Sequence, residues 1–426
     1  MLSKQRTISF TIVSSMLGLA LCAGCQGWDP GAPGVAQYAI VDVPHTAVER
    51  QSIGNCWLYA EASWVESIHL SNLLDSGTEI EELDVSQSYW TYWHWFDQVT
   101  GYMWDDEIST GGNQWKSHAL IRDRGLMLEA DFVPQDATSE MSSRQSSALS
   151  KINNALKSGA LATDEARRDG ETVRKVFDEA WGLSEEVRDQ LDQAFGKDGE
   201  RTLRSGGDVL GTKILDPEKV TVKYAQRSSD GETAYKTTTL VEATQDWETA
   251  RYPRSETERR AFLQRVQRAL HDRQPVVITW DVDFNALENY DEDRGGSFNM
   301  KTLEDSGGPG HQGGHMTVLE DYAAITDDYG LIEAAKTLDP ADPQDAAKLD
   351  ALLLPGTKIT LLRTKNSWGA NRPDRQFAPG FPGYHDLWMD YLDGPIKFCP
   401  SVENKTEENC TGESTPLNSV MLPPGY

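Results

Sequence analysis

The sequence predicts an α+β fold in which a largely helical half precedes a half built from strands. Helical spacing of apolar residues dominates the first half, beginning with the uninterrupted run at 56–68 (CWLYAEASWVESI). Short apolar runs typical of buried strands lie in the second half, at 275–280, 316–319 and 358–363. Because helices and strands are segregated along the chain rather than alternating, the pattern indicates an α+β architecture.

The individual elements follow from local signals. Gly54 and Asn55 form the turn that leads into the first helix, and Ser86 is placed to cap a second one. Residues 136–205 are rich in Ser, Ala, Glu, Lys and Arg at helical spacing, which predicts a helical insertion. Alternation within 219–241 predicts two strands.

The 426-residue chain is strongly acidic. It contains 40 Lys and Arg against 67 Asp and Glu, a formal net charge of −27. Since a nucleic-acid partner requires a basic surface, this balance argues against nucleic acid. Hydrophobic residues at 38% and charged residues at 25% are typical of a globular protein.

The first 25 residues are typical of an export signal rather than of folded structure. Two basic residues precede an apolar stretch at 8–21, and small residues directly before Cys25 resemble the lipobox of bacterial lipoproteins. By that resemblance Cys25 is lipidated, which anchors the exported protein to the bacterial cell envelope. Gln26 after it favours the outer membrane. The alternative is simple secretion after cleavage near residue 23 or 24.

The cysteines divide by position. Cys22 and Cys25 belong to the signal, and Cys399 and Cys410 lie close enough in a polar stretch to predict a disulfide in an exported protein. Cys56 is left, at the first turn of its helix, where backbone N–H groups and the helix dipole favour a thiolate. Cys56 is therefore a candidate nucleophile, with a buried structural cysteine as the alternative.

The residues around Cys56 resemble the nucleophile segment of papain-like cysteine peptidases (the C1 family). Residues 51–57 (QSIGNCW) contain a Gln before the Cys, a Gly shortly ahead of it and Trp57 after it. In that family the Gln side chain and the Cys backbone N–H hold the oxyanion. The resemblance assigns this role to Gln51, which lies five rather than the usual six positions before the Cys.

Two later segments resemble the remaining parts of the same site. Residues 313–319 (GGHMTVL) place His315 after small residues at the start of a strand, as the family places its base. Residues 365–369 (KNSWG) match the family's Asn-Ser-Trp-Gly element. The resemblance implies that Asn366 orients the imidazole and that Trp368 shields their hydrogen bond.

Two segments could be interpreted as metal sites, but the sequence favours neither. His311 and His315 are four residues apart, but that spacing requires a helix, which the glycines of 308–314 disfavour. Residues 281–292 begin like a calcium loop, but Ala286 replaces the glycine of the sharp turn. We expect neither a metal nor another cofactor.

The resemblance narrows to the bleomycin hydrolase and aminopeptidase C branch of the family and covers about 45–396. It implies a papain-like two-lobed fold, with the nucleophile on a helical lobe and His and Asn on a sheet lobe. Members often form hexamers, so an oligomer is consistent with it. The polar segment after residue 395 departs from that branch, so aminopeptidase action does not carry over. The further matching segments are 83–89, 111–115, 275–281 and 383–389.

The expected organisation has four parts: a lipoprotein signal peptide at 1–25, a tether at 26–45, a peptidase domain at 46–398 and a tail at 399–426. The expected function is hydrolysis of peptide or protein substrates through a thioester on the nucleophilic Cys. Two alternatives stay open: a catalytically silent surface or binding lipoprotein with this fold, and a Cys-dependent acyltransferase.

Overall fold

The computed structural model describes residues 43–76, 83–101, 105–291, 294–399, 410 and 412–426. The predicted signal peptide, the lipidation of Cys25 and nearly all of the tether lie outside these ranges and stay predictions. No helix within them is long and apolar enough to cross a bilayer.

Helices dominate the first half of the described chain. Their bounds are α1 (Cys56–Ser76), α2 (Gln87–Thr100), α3 (Gln114–Arg124), α4 (Glu129–Phe132), α5 (Ser143–Ser158), α6 (Asp164–Arg168), α7 (Gly170–Trp181), α8 (Glu185–Phe195), α9 (Leu240–Asp246), α10 (Glu256–His271), α11 (Met300–Asp305), α12 (Pro343–Leu352) and α13 (Met389–Leu392). The predicted first helix and the predicted helical character of 136–205 are thereby confirmed.

Helix α2 shows how the aromatic residues near the start of the chain are used. Ser86 caps it, as predicted, by accepting a hydrogen bond from the Tyr89 amide at 3.0 Å. Trp90, Trp93 and Trp95 are fully buried, so nearly the whole surface of the helix is core. Each such burial contributes on the order of 3 kcal/mol before ordering entropy is subtracted. The aromatic cluster therefore forms the core of the helical lobe rather than a lined groove.

Strands dominate the second half. Their bounds are β1 (Thr221–Arg227), β2 (Thr233–Thr239), β3 (Glu248–Arg251), β4 (Val277–Asp283), β5 (Ser297–Phe298), β6 (Gln312–Thr326), β7 (Gly330–Ile332), β8 (Lys358–Lys365), β9 (Tyr384–Trp388), β10 (Ile396–Lys397), β11 (Glu413–Ser414) and β12 (Leu417–Leu422). In the described chain, eight of them form one sheet in the order β3-β12-β4-β6-β8-β9-β5, with β7 beside β6. Its pairings are antiparallel except for β5 with β9.

The long strand β6 organises this sheet. It pairs with β4 on one side, where His315 lies opposite Trp280, and with β8 on the other, where Val318 lies opposite Lys365. Asn366 directly follows the last residue of β8. The register therefore brings His315 and Asn366 to the same end of two neighbouring strands.

The hydrophobic core is divided between the two halves. One cluster joins helices α1–α5, α7 and α8 with one face of the sheet, including Met316 and Val318. The other cluster lies under the opposite face, includes Leu319, and is closed by α10 and α12. Alternation along β6 places neighbouring side chains in different clusters. The predicted α+β fold class, with a largely helical half followed by a sheet half, is confirmed.

The C-terminal segment differs from its prediction as a tail. Strand β12 lies between β3 and β4 inside the large sheet, and Leu417, Val420 and Leu422 are each 1% exposed. The run LNSVML is short and follows a polar stretch, so its apolar residues do not stand out in the sequence. The boundary at residue 399 is therefore corrected: the end of the chain is part of the domain.

Candidate active site

Cys56 is the first residue of α1 and the free cysteine of the described chain. The turn before it is held by the buried Asn55 side chain, which donates to Thr91 Oγ1 and Gln145 Oε1, both at 3.0 Å. Burial raises the pKa of the Cys56 thiol to about 11, and nearby backbone N–H groups, that of Met316 foremost, oppose this. The sulfur thus lies at a helix N-terminus and beside the residue that follows His315.

His315 and Asn366 are joined directly. The His315 Nε2 atom lies 2.8 Å from Asn366 Oδ1. The two side chains are buried, at 4% and 2% exposure. Burial lowers the pKa of His315 to about 4, and the hydrogen bond to Asn366 opposes that shift. At neutral pH the imidazole is therefore uncharged and able to accept a proton.

Trp368 covers this hydrogen bond. Its ring stacks on His315 with centroids 4.8 Å apart and an angle of 18° between the planes. Trp280 contacts the same imidazole edge-on, at 5.5 Å. Two aromatic rings thus restrict the imidazole to one orientation and exclude water from its bond to Asn366.

Gln51 is tied to the same region, but its amide is partly engaged. Its Oε1 atom accepts a 2.6 Å hydrogen bond from Ser367 Oγ, and its Nε2 atom donates to the Ile53 carbonyl at 2.7 Å. An amide nitrogen has two N–H bonds, so one remains for an oxyanion. The oxyanion role of Gln51 stays a prediction.

Trp57 anchors the glycine pair of 111–112 beside the segment that carries Cys56. Its indole Nε1 donates to the Thr110 carbonyl at 3.0 Å. A Cβ atom on Gly112 would lie only 2.3 Å from the indole ring, whereas one on Gly111 would meet no atom within 4 Å. The chain therefore lies flat on Trp57 at one glycine and borders open space at the other.

Helix α1 and the strand that precedes Asn366 are linked by a buried lysine that the sequence reasoning missed. Lys365 Nζ donates to Ser63 Oγ of α1 at 3.0 Å and to Thr46 Oγ1 at 3.1 Å. Thr46 in turn donates to Glu66 Oε2 at 2.5 Å. Burial raises the pKa of Glu66 to about 7, against the opposing effect of Lys365. The sequence signal for this buried link is a lysine at the end of an otherwise largely apolar strand.

A second missed residue lies behind Asn366. His385 of β9 is fully buried, and its Nδ1 atom lies 3.3 Å from Asn366 Nδ2. It also contacts the Trp368 ring edge-on at 5.2 Å. Its sequence context, GYHDLW, was noted only for its family resemblance.

The residues considered above as possible metal ligands make other contacts in the structure. The Asp283 carboxylate accepts from the Gly310 amide at 2.9 Å and from Gln312 Nε2 at 2.8 Å, which ties down the glycine-rich segment before β6. His311 stacks on Phe284 at 5.8 Å. Among the described residues no group of three or more His, Cys, Asp or Glu could hold a metal ion.

Cys399 and Cys410 are joined by a disulfide. This bond closes the segment between β10 and β11, which pair with each other. It lies beside the chain that leads into β12.

Comparison with known proteins finds similarity to solved structures. No family model matches the chain, and no curated protein matches it. The crystal structure of PepW from Lactobacillus rhamnosis matches over 92% of this chain and 82% of its own, with 13% identity and a TM-score of 0.40. The structure of xylellain, a cysteine protease from Xylella fastidiosa, matches over 93% and 95%, with 11% identity and a TM-score of 0.34.

Proposed function

We propose that this chain is a cysteine-type peptidase with Cys56 as nucleophile, His315 as base and Asn366 as the residue that orients the base. The observation that carries the proposal is the 2.8 Å bond between His315 and Asn366, next to a free thiol at a helix N-terminus. An imidazole held by a carboxamide, on the residue next to the one whose backbone N–H bonds the thiol, is an arrangement suited to nucleophilic catalysis.

The proton positions favour this chemistry. The Ser367 backbone N–H donates to Asn366 Oδ1 at 2.7 Å, which identifies that atom as the carbonyl oxygen. His315 Nε2 lies against the same oxygen, so Nε2 carries the proton. The Nδ1 atom of His315 is then left with its lone pair, as a general base requires.

The reaction proceeds in two halves. In the first, the Cys56 proton passes to His315 Nδ1 while Sγ attacks the substrate carbonyl carbon. The oxyanion is held by the Cys56 N–H and by Gln51 Nε2. Collapse breaks the C–N bond, and His315 donates its proton to the leaving amine. In the second, His315 removes a proton from water, the hydroxide attacks the thioester, and the thiol is regenerated as the acid leaves.

The electrostatics identify where the barrier is lowered. Burial raises the pKa of the thiol to about 11 and lowers that of His315 to about 4, so the empty site favours the uncharged pair. Ionisation therefore accompanies attack, and the α1 N-terminus and the Met316 N–H stabilise the charge as it develops.

The location of the enzyme is part of the proposal. We infer export and anchoring to the bacterial cell envelope through a lipid on Cys25, as the lipobox resemblance implies. Labelling with a radioactive fatty acid, in wild type and in Cys25→Ser, measures this directly. Loss of label and release from the membrane in the variant are expected, and equal labelling of both chains would refute it.

Trapping of the thiol is the decisive experiment for the activity. An epoxide directed at thiols should modify Cys56, located by peptide mass spectrometry, and should abolish cleavage of a peptide library. Cys56→Ala should be inactive. Ser71→Ala, on the same helix but about 22 Å along it, should keep full activity.

The alternatives give different results in the same assay. Labelled Cys56 with no hydrolysis of any library member indicates a silent binding protein. Products that gain an added amine in preference to water indicate an acyltransferase. Hydrolysis that persists in Cys56→Ala contradicts the assignment of the nucleophile.

A further inference from the structure

His385 is held in a fixed orientation behind the proposed catalytic residues. It lies on β9 opposite Thr364 of β8 and is 0% exposed. Three aromatic rings surround its imidazole, with centroids at 5.2 Å for Trp368, 5.7 Å for Phe377 and 5.9 Å for Phe298. Such packing fixes the plane of the ring, and the contact with Asn366 Nδ2 identifies the atom that faces it as Nδ1.

The hydrogen bonds around Asn366 decide which His385 nitrogen carries a proton. Oδ1 of Asn366 already accepts from the Ser367 N–H and from His315. The other amide atom is therefore Nδ2, which can only donate. It lies 3.3 Å from His385 Nδ1, so that nitrogen must be an acceptor. A neutral imidazole with an accepting Nδ1 carries its proton on Nε2.

We propose that His385 is a positioning residue of this site: as the neutral Nε2–H tautomer it accepts from Asn366 Nδ2 and thereby keeps Asn366 Oδ1 directed at His315. This inference rests on the proposed peptidase function. Nothing in the family resemblance assigns a role to residue 385.

The consequence of losing this acceptor follows from the same geometry. With the amide rotated by half a turn, Nδ2 would face His315 Nε2 and the Ser367 N–H, and donors would meet donors. His315 could relieve its own part of the clash only by moving its proton to Nδ1, while the Ser367 N–H would lose its acceptor. That tautomer has no lone pair toward the thiol and cannot take the Cys56 proton, so the chemical step would fail while substrate binding would not.

The surroundings keep His385 uncharged. Burial is the main cause that lowers its pKa, to about 3, followed by repulsion from the Arg375 charge and, when it is protonated, from His315. Arg375 lies over the Trp368 ring at 5.0 Å, on the same side of the site. Burial and the Arg375 charge thus both disfavour protonation of His385 near neutral pH.

Two substitutions separate positioning from packing. His385→Phe keeps an aromatic ring among the three others but removes the acceptor. His385→Asn keeps an acceptor oxygen near the position of Nδ1 but removes the ring. If His385 is a positioning residue, His385→Phe lowers kcat by roughly 10- to 100-fold with KM nearly unchanged, because the Asn366 amide loses its orientation without an acceptor. His385→Asn retains kcat within about threefold, although the melting temperature of this variant falls.

The kinetic results distinguish a positioning residue from a residue that only fills space. A residue that only fills space gives the reverse order, with Phe active and Asn impaired in proportion to its stability. That order overturns the proposal, as does an unchanged kcat in both variants.

The tautomers of the histidine side chains, measured by NMR, give a readout that does not depend on turnover. Long-range proton–nitrogen correlation spectra of the chain labelled at its 8 histidines, assigned by loss of one signal in each variant, should show Nε2–H for both His385 and His315. In His385→Phe, His315 should shift toward Nδ1–H. Should no peptide be cleaved by wild type, the peptidase proposal fails, while these spectra still decide the positioning claim: Nδ1–H or a charged ring at residue 385 overturns it.

Discussion

Adding one methyl group under the Trp57 indole tests whether the glycine loop is fitted to the nucleophile segment. In Gly112→Ala the new Cβ would lie 2.3, 2.5 and 2.6 Å from three indole atoms. Trp57 is 1% exposed and bonded to the Thr110 carbonyl, so the ring has no room to move away. The loop must shift by about 1 Å, which we expect to break that hydrogen bond.

The expected loss of stability in Gly112→Ala is the sum of two contributions. Overpacking of a filled core costs about 1–3 kcal/mol, and loss of the Trp57–Thr110 bond adds about 1 kcal/mol. We therefore expect Gly112→Ala to lower the free energy of unfolding by about 2–4 kcal/mol. Gly111→Ala is the matched control, because its Cβ meets nothing within 4 Å, and we expect a change below about 1 kcal/mol.

Urea unfolding followed by tryptophan fluorescence measures both variants. The rate at which iodoacetamide modifies Cys56 in the folded state gives a second readout, since movement of Trp57 should displace the adjacent sulfur. Equal unfolding free energies for the two alanine variants would refute the reasoning, because the two sites differ only in the space around the added methyl.

Two further predictions concern the base and the strands that carry it. Burial lowers the pKa of His315 to about 4, so the neutral base persists above that value and kcat/KM should fall tenfold per pH unit only below about pH 4; an acid limb near 6.5, the ordinary histidine value, would contradict this. Arg363 bonds Asp386 across β8 and β9 at 2.7 and 2.9 Å. Arg363→Met, which leaves a buried carboxylate unpaired, should destabilise the fold by about 3–5 kcal/mol. The control Arg372→Met, whose partner is 56% exposed, should cost less than about 1 kcal/mol; equal melting temperatures would refute the contrast.

Most local elements could be predicted from the sequence because their signals are local. Helix α1 begins at the cysteine where the turn residues end, and Ser86 caps α2 through a bond to its own helix. Short apolar runs marked β4, β6 and β8 for the same reason, since strands buried on both faces carry consecutive apolar residues. The helical insertion likewise follows from spacing alone.

The tail and the partners of the site could not be predicted in this way. Strand β12 is too short and too close to polar sequence to be distinguished from a tail, and its burial depends on the gap between β3 and β4. The hydrogen bond of Gln51 to Ile53 depends on the path of a loop. The roles of Lys365 and His385 depend on chain segments far apart in sequence.

The sequence by itself determined the identity and order of the groups proposed to react: a thiol at a helix start, an imidazole on a strand and a carboxamide after another strand. Only the tertiary structure decided which donors and acceptors surround them. The Ser367 amide orients Asn366, and His385 completes that orientation from a third strand. Hydrogen-bond direction depends on which donors and acceptors meet in space, and the antiparallel register of β6, β8 and β9 sets those meetings.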